Sequence, residues 1–227
     1  MTTHMMTELT NQSPANCNPI NQPQPRAFSA EQDRKPNQPT PYSMGIQLLL
    51  VSPVDDQRAA VEQFIQQGYE KHFAARLVEF FPVILAVRDM TSQRIMGAVG
   101  MRYADDQNLF SERYLNQSIE SLIANHEAVN VNRNSIIELG HFAVDRPADV
   151  NTVIPMIGRF LKSLDVSWAV YTLSRPIKTA FARLGIQLTH LQHAHPGALQ
   201  NSLSDWGTYY DFKPAVYYSS ILNNMNA

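Results

Sequence analysis

Two periods of hydrophobic and polar positions take turns along this chain, and the switches between them mark out its elements. Gly45 to Val51, GIQLLLV, is a short apolar run stopped by Pro53 and predicts a buried strand. Asp55 or Asp56 can cap the helix that follows, in which Val61, Phe64, Ile65, Gly68, Tyr69 and Phe73 recur at three-to-four-residue spacing and share a face. Pro82 introduces a strand over Val83 to Val87, Asp89 to Gln93 turns, and Arg94 to Tyr103 returns as its hairpin partner. Residues 111–125 repeat the helical spacing, with Ser111 as N-cap and Tyr114, Leu115, Ile119, Leu122 and Ile123 on one side.

The second half continues in the same way. Ile136 to Val144, IIELGHFAV, reads as a strand. Asp145 to Asn151 is a polar loop, and the helix after it presents Val153, Ile154, Ile157, Phe160, Leu161 and Leu164, with Pro155 tolerable only near its start. Ser167 to Leu173 predicts a buried strand, Arg175 to Leu184 a short helix stopped by Gly185, Ile186 to Leu191 another strand, and Ala215 to Leu222 the last. Strands and helices interleave without a repeat, so the expected class is α/β or α+β around a mixed sheet.

Composition divides the chain near residue 44. Residues 1–43 hold seven of the fourteen prolines, much Asn and Gln, and almost no large apolar side chain. Too little apolar area is present to offset the roughly 1–2 kcal/mol per residue of backbone ordering, which predicts a disordered tail ahead of one domain over 44–227. A net charge of −2, a pI near 6.4 and no basic run argue against nucleic acid as a partner. The sole cysteine, Cys17, lies in that tail, which leaves no framework for disulfides or a cysteine metal cluster. The first residues, MTTHMMTELTNQ, lack the apolar segment of an export signal, and no run of eighteen apolar residues follows. A cytoplasmic protein without integral membrane association is the expectation.

Chemistry concentrates in IIELGHFAV. Alternation sends Glu138 and Gly140 to one face and His141 to the other, unless a bulge at Gly140 re-aims the chain. A carboxylate on a buried strand must be paired, protonated or solvated in a cleft. Glu138 is therefore either a base whose affinity for protons is raised by burial or half of an ion pair with Arg102, Arg113 or Arg133. Glu112 stands at a helix start, where a carboxylate is favourable in any case. DWGTYYDF (Asp205 to Phe212) gathers Trp206, Tyr209 and Tyr210 around Gly207, either as phenols able to donate protons or as a packed cover over the core. His190, His193 and His195 lack the spacing of a metal site, and no phosphate-loop, nucleophile-elbow or zincin motif occurs, so no metal is expected.

Several phrases, taken in order, resemble one family: RIMGAVGMRYA, LFSERYL followed by SIE, RNSIIELGHFAV, SWAVYTL with FARLGI, and DWGTYYDFKPAV. They are similar to the thermostable hemolysin family over roughly residues 60–220, and that family is similar in turn to the GNAT-like N-acyltransferases, the acyl-homoserine lactone synthases among them. The resemblance implies a GNAT-like mixed sheet flanked by helices and transfer of an acyl group from a thioester to a small amine. It places Glu138 as the base, Tyr209 and Tyr210 near the thioester as catalytic candidates, and Glu112 with Arg133 on the acceptor. We set Arg102, His141 and Trp206 beside them as candidate substrate contacts. The alternative implied by the family's name is lysis of membranes, directly or through a surfactant-like product. Two departures stand out. The GNAT loop after this strand usually reads [QR]-x-x-G-x-[GA] to cradle the pyrophosphate of coenzyme A, whereas this chain has DRPADVNT; acyl carrier protein is the donor that needs that cradle least. His141 stands where the synthases place an arginine.

Overall fold

The computed structural model describes residues 45–199 and 203–223; the predicted tail, with Cys17, lies outside the described residues. Seven strands form one mixed sheet in the order β1-β2-β3-β4-β5-β7-β6. They are β1 (Ile46–Val51), β2 (Val83–Asp89), β3 (Ile95–Tyr103), β4 (Ile136–Val144), β5 (Trp168–Leu173), β6 (Thr189–His193) and β7 (Ala215–Ser220). Every neighbouring pair is antiparallel except β4 and β5. That exception follows from the helix joining them, because parallel strands need a long crossover.

Helices α1 (Arg58–Phe73) and α2 (Ile119–Glu127) cover one face, and α3 (Val150–Lys162) and α4 (Arg175–Arg183) the other. The stripe predicted for α1 packs as expected, with Val61 and Ile65 fully buried and Tyr69 nearly so. On the opposite face Val153, Ile154, Ile157 and Leu161 of α3 meet Leu85, Val99 and Leu139 of the sheet. The expected α+β class around a mixed sheet is the observed one.

Four local expectations need correction. The helix expected over 111–125 is a 3-10 turn over Ser111–Tyr114, extended backbone at Leu115, and then α2, whose N-cap is Ser118. The chain is extended at Leu115, and the Ile119 N–H, which a continuous helix would send to the Leu115 carbonyl, goes to the Glu112 carboxylate instead. Gln57, not Asp55 or Asp56, caps α1, although Asp55 Oδ1 accepts the Gln57 N–H at 2.9 Å. The strand expected at Ile186 starts at Thr189, since Ile186 and Leu188 pack as a connection beneath α4. Finally, α3 starts at Val150, so Pro155 lies in its second turn and removes the N–H that would have bonded Asn151.

Candidate active site

The parallel pairing of β4 and β5 lasts only from Ile136 to Leu139 against Trp168 to Tyr171. Beyond those residues the strands part. On its other side β4 pairs Gly140 with Gly100 and Ala143 with Ala98, so His141 and Phe142 together oppose Val99. This is a β-bulge, and His141 carries its cost as a left-handed residue with φ 54°. Simple alternation, which would have put His141 on the face opposite Glu138, is broken by this bulge, one residue beyond Gly140. It turns His141 to the side of Glu138, where its ring meets Phe80, Phe81, Tyr69 and Trp206, while Phe142 faces Phe181 of α4.

Where β4 and β5 part, an apolar cleft of about 640 Å³ opens, walled by Leu139, Ile154, Tyr171, Leu173, Phe181 and Tyr209 among others. A second cavity of about 350 Å³ lies on the α1 side, between Phe80, Phe81, Arg102, Phe110, Arg113 and Trp206. His141 lines both, and among the described residues no other does.

Phe81 shapes the floor of the second cavity. A Cβ on Gly140 would lie 2.6 Å from its ring and one on Gly100 2.7 Å from its Cβ, so this cross-strand glycine pair is the space the ring occupies. Arg58 of α1 holds the backbone there, donating to the carbonyls of Phe81 at 2.7 Å and Pro82 at 3.1 Å. Above the ring lies the Arg102 guanidinium, 3.7 Å from its centroid.

Glu138 is 1 % exposed and lines neither cavity. Its oxygens accept the N–H of Phe110 (2.8 Å), the N–H of Ser111 (2.7 Å) and the Ser111 hydroxyl. Arg102 Nε stands 3.4 Å from Oε2, near enough for charge pairing but not aligned as a hydrogen bond, and that Nε is buried without a partner. Burial pushes the Glu138 carboxyl up, against the opposing pull of Arg102 and the Ser111 and Phe110 donors. Burial, then the charge of Arg102, pushes His141 down to about 3, so the imidazole is neutral at pH 7 with Nδ1 buried and unpartnered.

The remaining candidates are dispersed. Glu112 and Arg133 form a bidentate pair, which Glu120 joins at 2.7 Å, and all three lie outside both cavities. For Glu112 burial works upward, but Arg133 and the Leu109 and Ile119 N–H groups outweigh it and leave the carboxyl below its ordinary range. Tyr209 walls the apolar cleft and donates to the Thr172 carbonyl at 3.3 Å; burial pushes its phenol well up. The Tyr210 hydroxyl sits 2.7 Å from that of Tyr114. Trp206 reaches His141 because its loop is laced to the end of α1: Asp205 and Arg76 exchange backbone hydrogen bonds, and Thr208 N–H donates to Phe73. Gly207 (φ 48°) makes this possible, since a Cβ there would lie 2.1 Å from the Phe73 carbonyl oxygen.

Sequence reasoning did not single out Phe80 and Phe81. Their one signal was the FFP triplet before β2 together with glycines on two later strands. The histidines on and after β6 stand as a surface row, His190 to His193 at 4.9 Å and His193 to His195 at 6.5 Å. Among the described residues no group of three or more His, Cys, Asp or Glu could hold a metal ion. Nor is any helix there long and apolar enough to cross a membrane.

A mixed sheet whose one parallel pair splays open beside a bulge, with helices on both faces, is GNAT-like. Over residues 51–225 the chain matches the thermostable hemolysin family, and it belongs to that family. Among solved structures it is similar to FeeM, an N-acyl amino acid synthase from uncultured soil microbes, with TM-score 0.54, 14% identity, and 81% of this chain and 95% of that one covered. It is also similar to the acyl-homoserine lactone synthase LasI, with TM-score 0.50, 9% identity, and 78% and 90% covered. No curated protein matches the sequence.

Proposed function

We propose that the protein is an N-acyltransferase that moves a long acyl group from a thioester, on an acyl carrier protein or coenzyme A, to an amine. The observation that carries this reading is that an apolar cleft and a polar, aromatic-walled pocket meet at one side chain, His141. The cleft is of the size that takes a drug-sized ligand, roughly 300–1,000 Å³, and an acetyl group alone would leave most of it empty. Its walls suit an alkyl chain. The names of the neighbouring structures, an N-acyl amino acid synthase and an acyl-homoserine lactone synthase, support the same class of reaction.

In this reading the thioester carbonyl lies where β4 and β5 separate, beside backbone groups no longer paired across the gap. The amine enters from the other pocket. Its nitrogen attacks the carbonyl carbon, an N–C bond forms and the C–S bond breaks. His141, uncharged at pH 7, accepts a hydrogen bond from the attacking nitrogen, whose proton passes to the departing thiolate, so an amide and a thiol leave. Glu138 acts through Arg102, Phe110 and Ser111 as a positioning residue that shapes the acceptor pocket. Tyr209 packs along the donor.

The donor's phosphate needs a place as well. The start of α3 carries the chain's own anion there: the buried Asp149 accepts the Arg146 N–H at 3.2 Å, and Arg94 bridges Asp149 at 2.6 Å and Asp145 at 2.7 Å. At the cleft's other rim Arg175, Arg183 and Lys213, with one acid, Asp211, surround an open hollow that shares Pro176, Arg183 and Phe212 with the cleft. We place the phosphate there. An amide joining a long chain to a polar head is a surfactant, which ties the family's name to the product.

Free thiol released from long-chain acyl thioesters, on each carrier and with a panel of amines, tests the reading. His141→Asn should lower kcat by about 10²-fold or more, in line with loss of a positioned hydrogen-bond acceptor, while KM for the thioester holds. Absence of thiol release across donors and amines sinks it.

A further inference from the structure

We infer that the acceptor is an amine that also bears a carboxylate, of the α-amino acid class with an apolar side chain, and that Arg102 and Arg113 hold the carboxylate. The word acceptor rests on the acyl-transfer reading; the pocket's preference for an acid rests on its own geometry.

Arg102 is the first part of that geometry. One face of its guanidinium is covered by the Phe81 ring at 3.7 Å, and its side chain is only 14 % exposed. The nearby carboxylate, Glu138, already has its oxygens engaged by Phe110 and Ser111, and Arg102 Nε keeps a buried N–H with no acceptor. Glu138 therefore holds Arg102 by charge without a hydrogen bond, and the guanidinium lines the cavity beside it. A planar carboxylate matches the guanidinium edge.

The second part is Arg113. It stacks over Phe110 with its guanidinium carbon 4.9 Å from the ring centroid, lines the same cavity, and forms no ion pair with a described residue. Its charge is felt at Arg102 as repulsion. Two like charges kept this close suit a ligand anion between them.

The third part decides the rest of the ligand. His141 is more than nine-tenths buried, with Nδ1 unpartnered, and it reaches the point where the two cavities join. An amine there meets the uncharged imidazole of His141. Glu79, exposed at the rim, is the carboxylate that can face an ammonium as it enters. Two guanidiniums set against Glu138 and Glu79 leave the surroundings near neutral, which fits a zwitterion better than a phosphate dianion or a plain alkylamine. The walls of Phe80, Phe110 and Trp206 then ask for an apolar side chain.

Trp206 supplies a readout that does not need turnover. The only other tryptophan, Trp168, packs on Tyr218 and lines neither cavity. Titrating the full-length protein with N-dodecanoyl-phenylalanine and with N-dodecanoyl-phenethylamine, which lacks only the carboxylate, should give about 30-fold tighter binding of the acid. Arg113→Ala, a change at an exposed side chain, should remove most of that difference, and Arg113→Lys should restore part of it. In the thiol-release assay phenylalanine should outrun phenethylamine by a similar factor in kcat/KM. Equal affinities for the two amides, no binding of either, or an acid preference indifferent to Arg113→Ala overturns the inference. Binding of the acid without thiol release from any donor keeps the acid site and overturns acyl transfer.

Discussion

Two arginine–carboxylate systems stand on the same side of the sheet and do different work. Arg133 grips Glu112 with two hydrogen bonds of 2.6 and 2.7 Å and Glu120 with a third, and its Nε donates to the Ala104 carbonyl. Each of the three guanidinium nitrogens has an acceptor. Arg102 meets Glu138 at 3.4 Å without a hydrogen bond, lies on an aromatic ring, and lines the wall of a cavity. The complete network braces the segment that carries α2, whereas the incomplete one faces a space where something else can complete it. Spare hydrogen-bonding capacity, more than charge, separates the two.

The sharpest way to break this comparison is Glu138→Ala. It strands Arg102 and frees the Phe110 and Ser111 donors, and stability measured by denaturant midpoint should fall by about 3–5 kcal/mol. A loss as small as that of a surface ion pair would show that Glu138 is not the anchor described. Gly140→Ala comes next. The added methyl meets the Phe81 ring, and overpacking should cost about 2–3 kcal/mol and loosen binding of the acid ligand with it. A stable protein with unchanged binding would mean that the ring moves freely.

The third test is pH. Folded His141 takes up its proton only near 3, while the unfolded chain takes one near 6.5, so the stability held by the neutral imidazole is present above pH 6.5 and drains as pH falls toward 3. Between pH 6.5 and 5 this amounts to about 2 kcal/mol, and His141→Asn should flatten that part of the stability profile. Parallel profiles for the two proteins would contradict it. The smallest effect is expected from Arg133→Ala. Its partners retain solvent and backbone donors, so a loss of about 1 kcal/mol in the same denaturation experiment is expected. A larger loss than for Glu138→Ala would reverse the ranking of the two networks.

Much of the fold was legible because it rests on periodicity. The α1 stripe, the hairpin of β2 and β3, and the apolar runs of β4 and β5 each appear in the sequence at the spacing the structure uses. The errors fell where distant groups compete for local backbone. Ser111 looks like a cap by its neighbours, yet its N–H and hydroxyl both turn to Glu138, which is 27 residues away. The site was half visible. Glu138 and His141 stood out as polar residues on an apolar strand, but whether they share a face depends on which residue of β4 is doubled against Val99, and that register is decided by β3. Phe81 was hidden for a related reason: its place is made by two glycines on separate strands, and neither indicates a ring.

The left-handed backbone at His141 also bears on how this position tolerates change. Asparagine and glycine reach that conformation with little strain, whereas valine or isoleucine must move the strand before the loss of the imidazole even matters. A saturation library at position 141 would thus sort by two independent criteria, one for folding and one for turnover. Variants that fold but fail to turn over are expected among residues able to adopt a positive φ, and β-branched residues should drop out earlier, at the level of soluble yield.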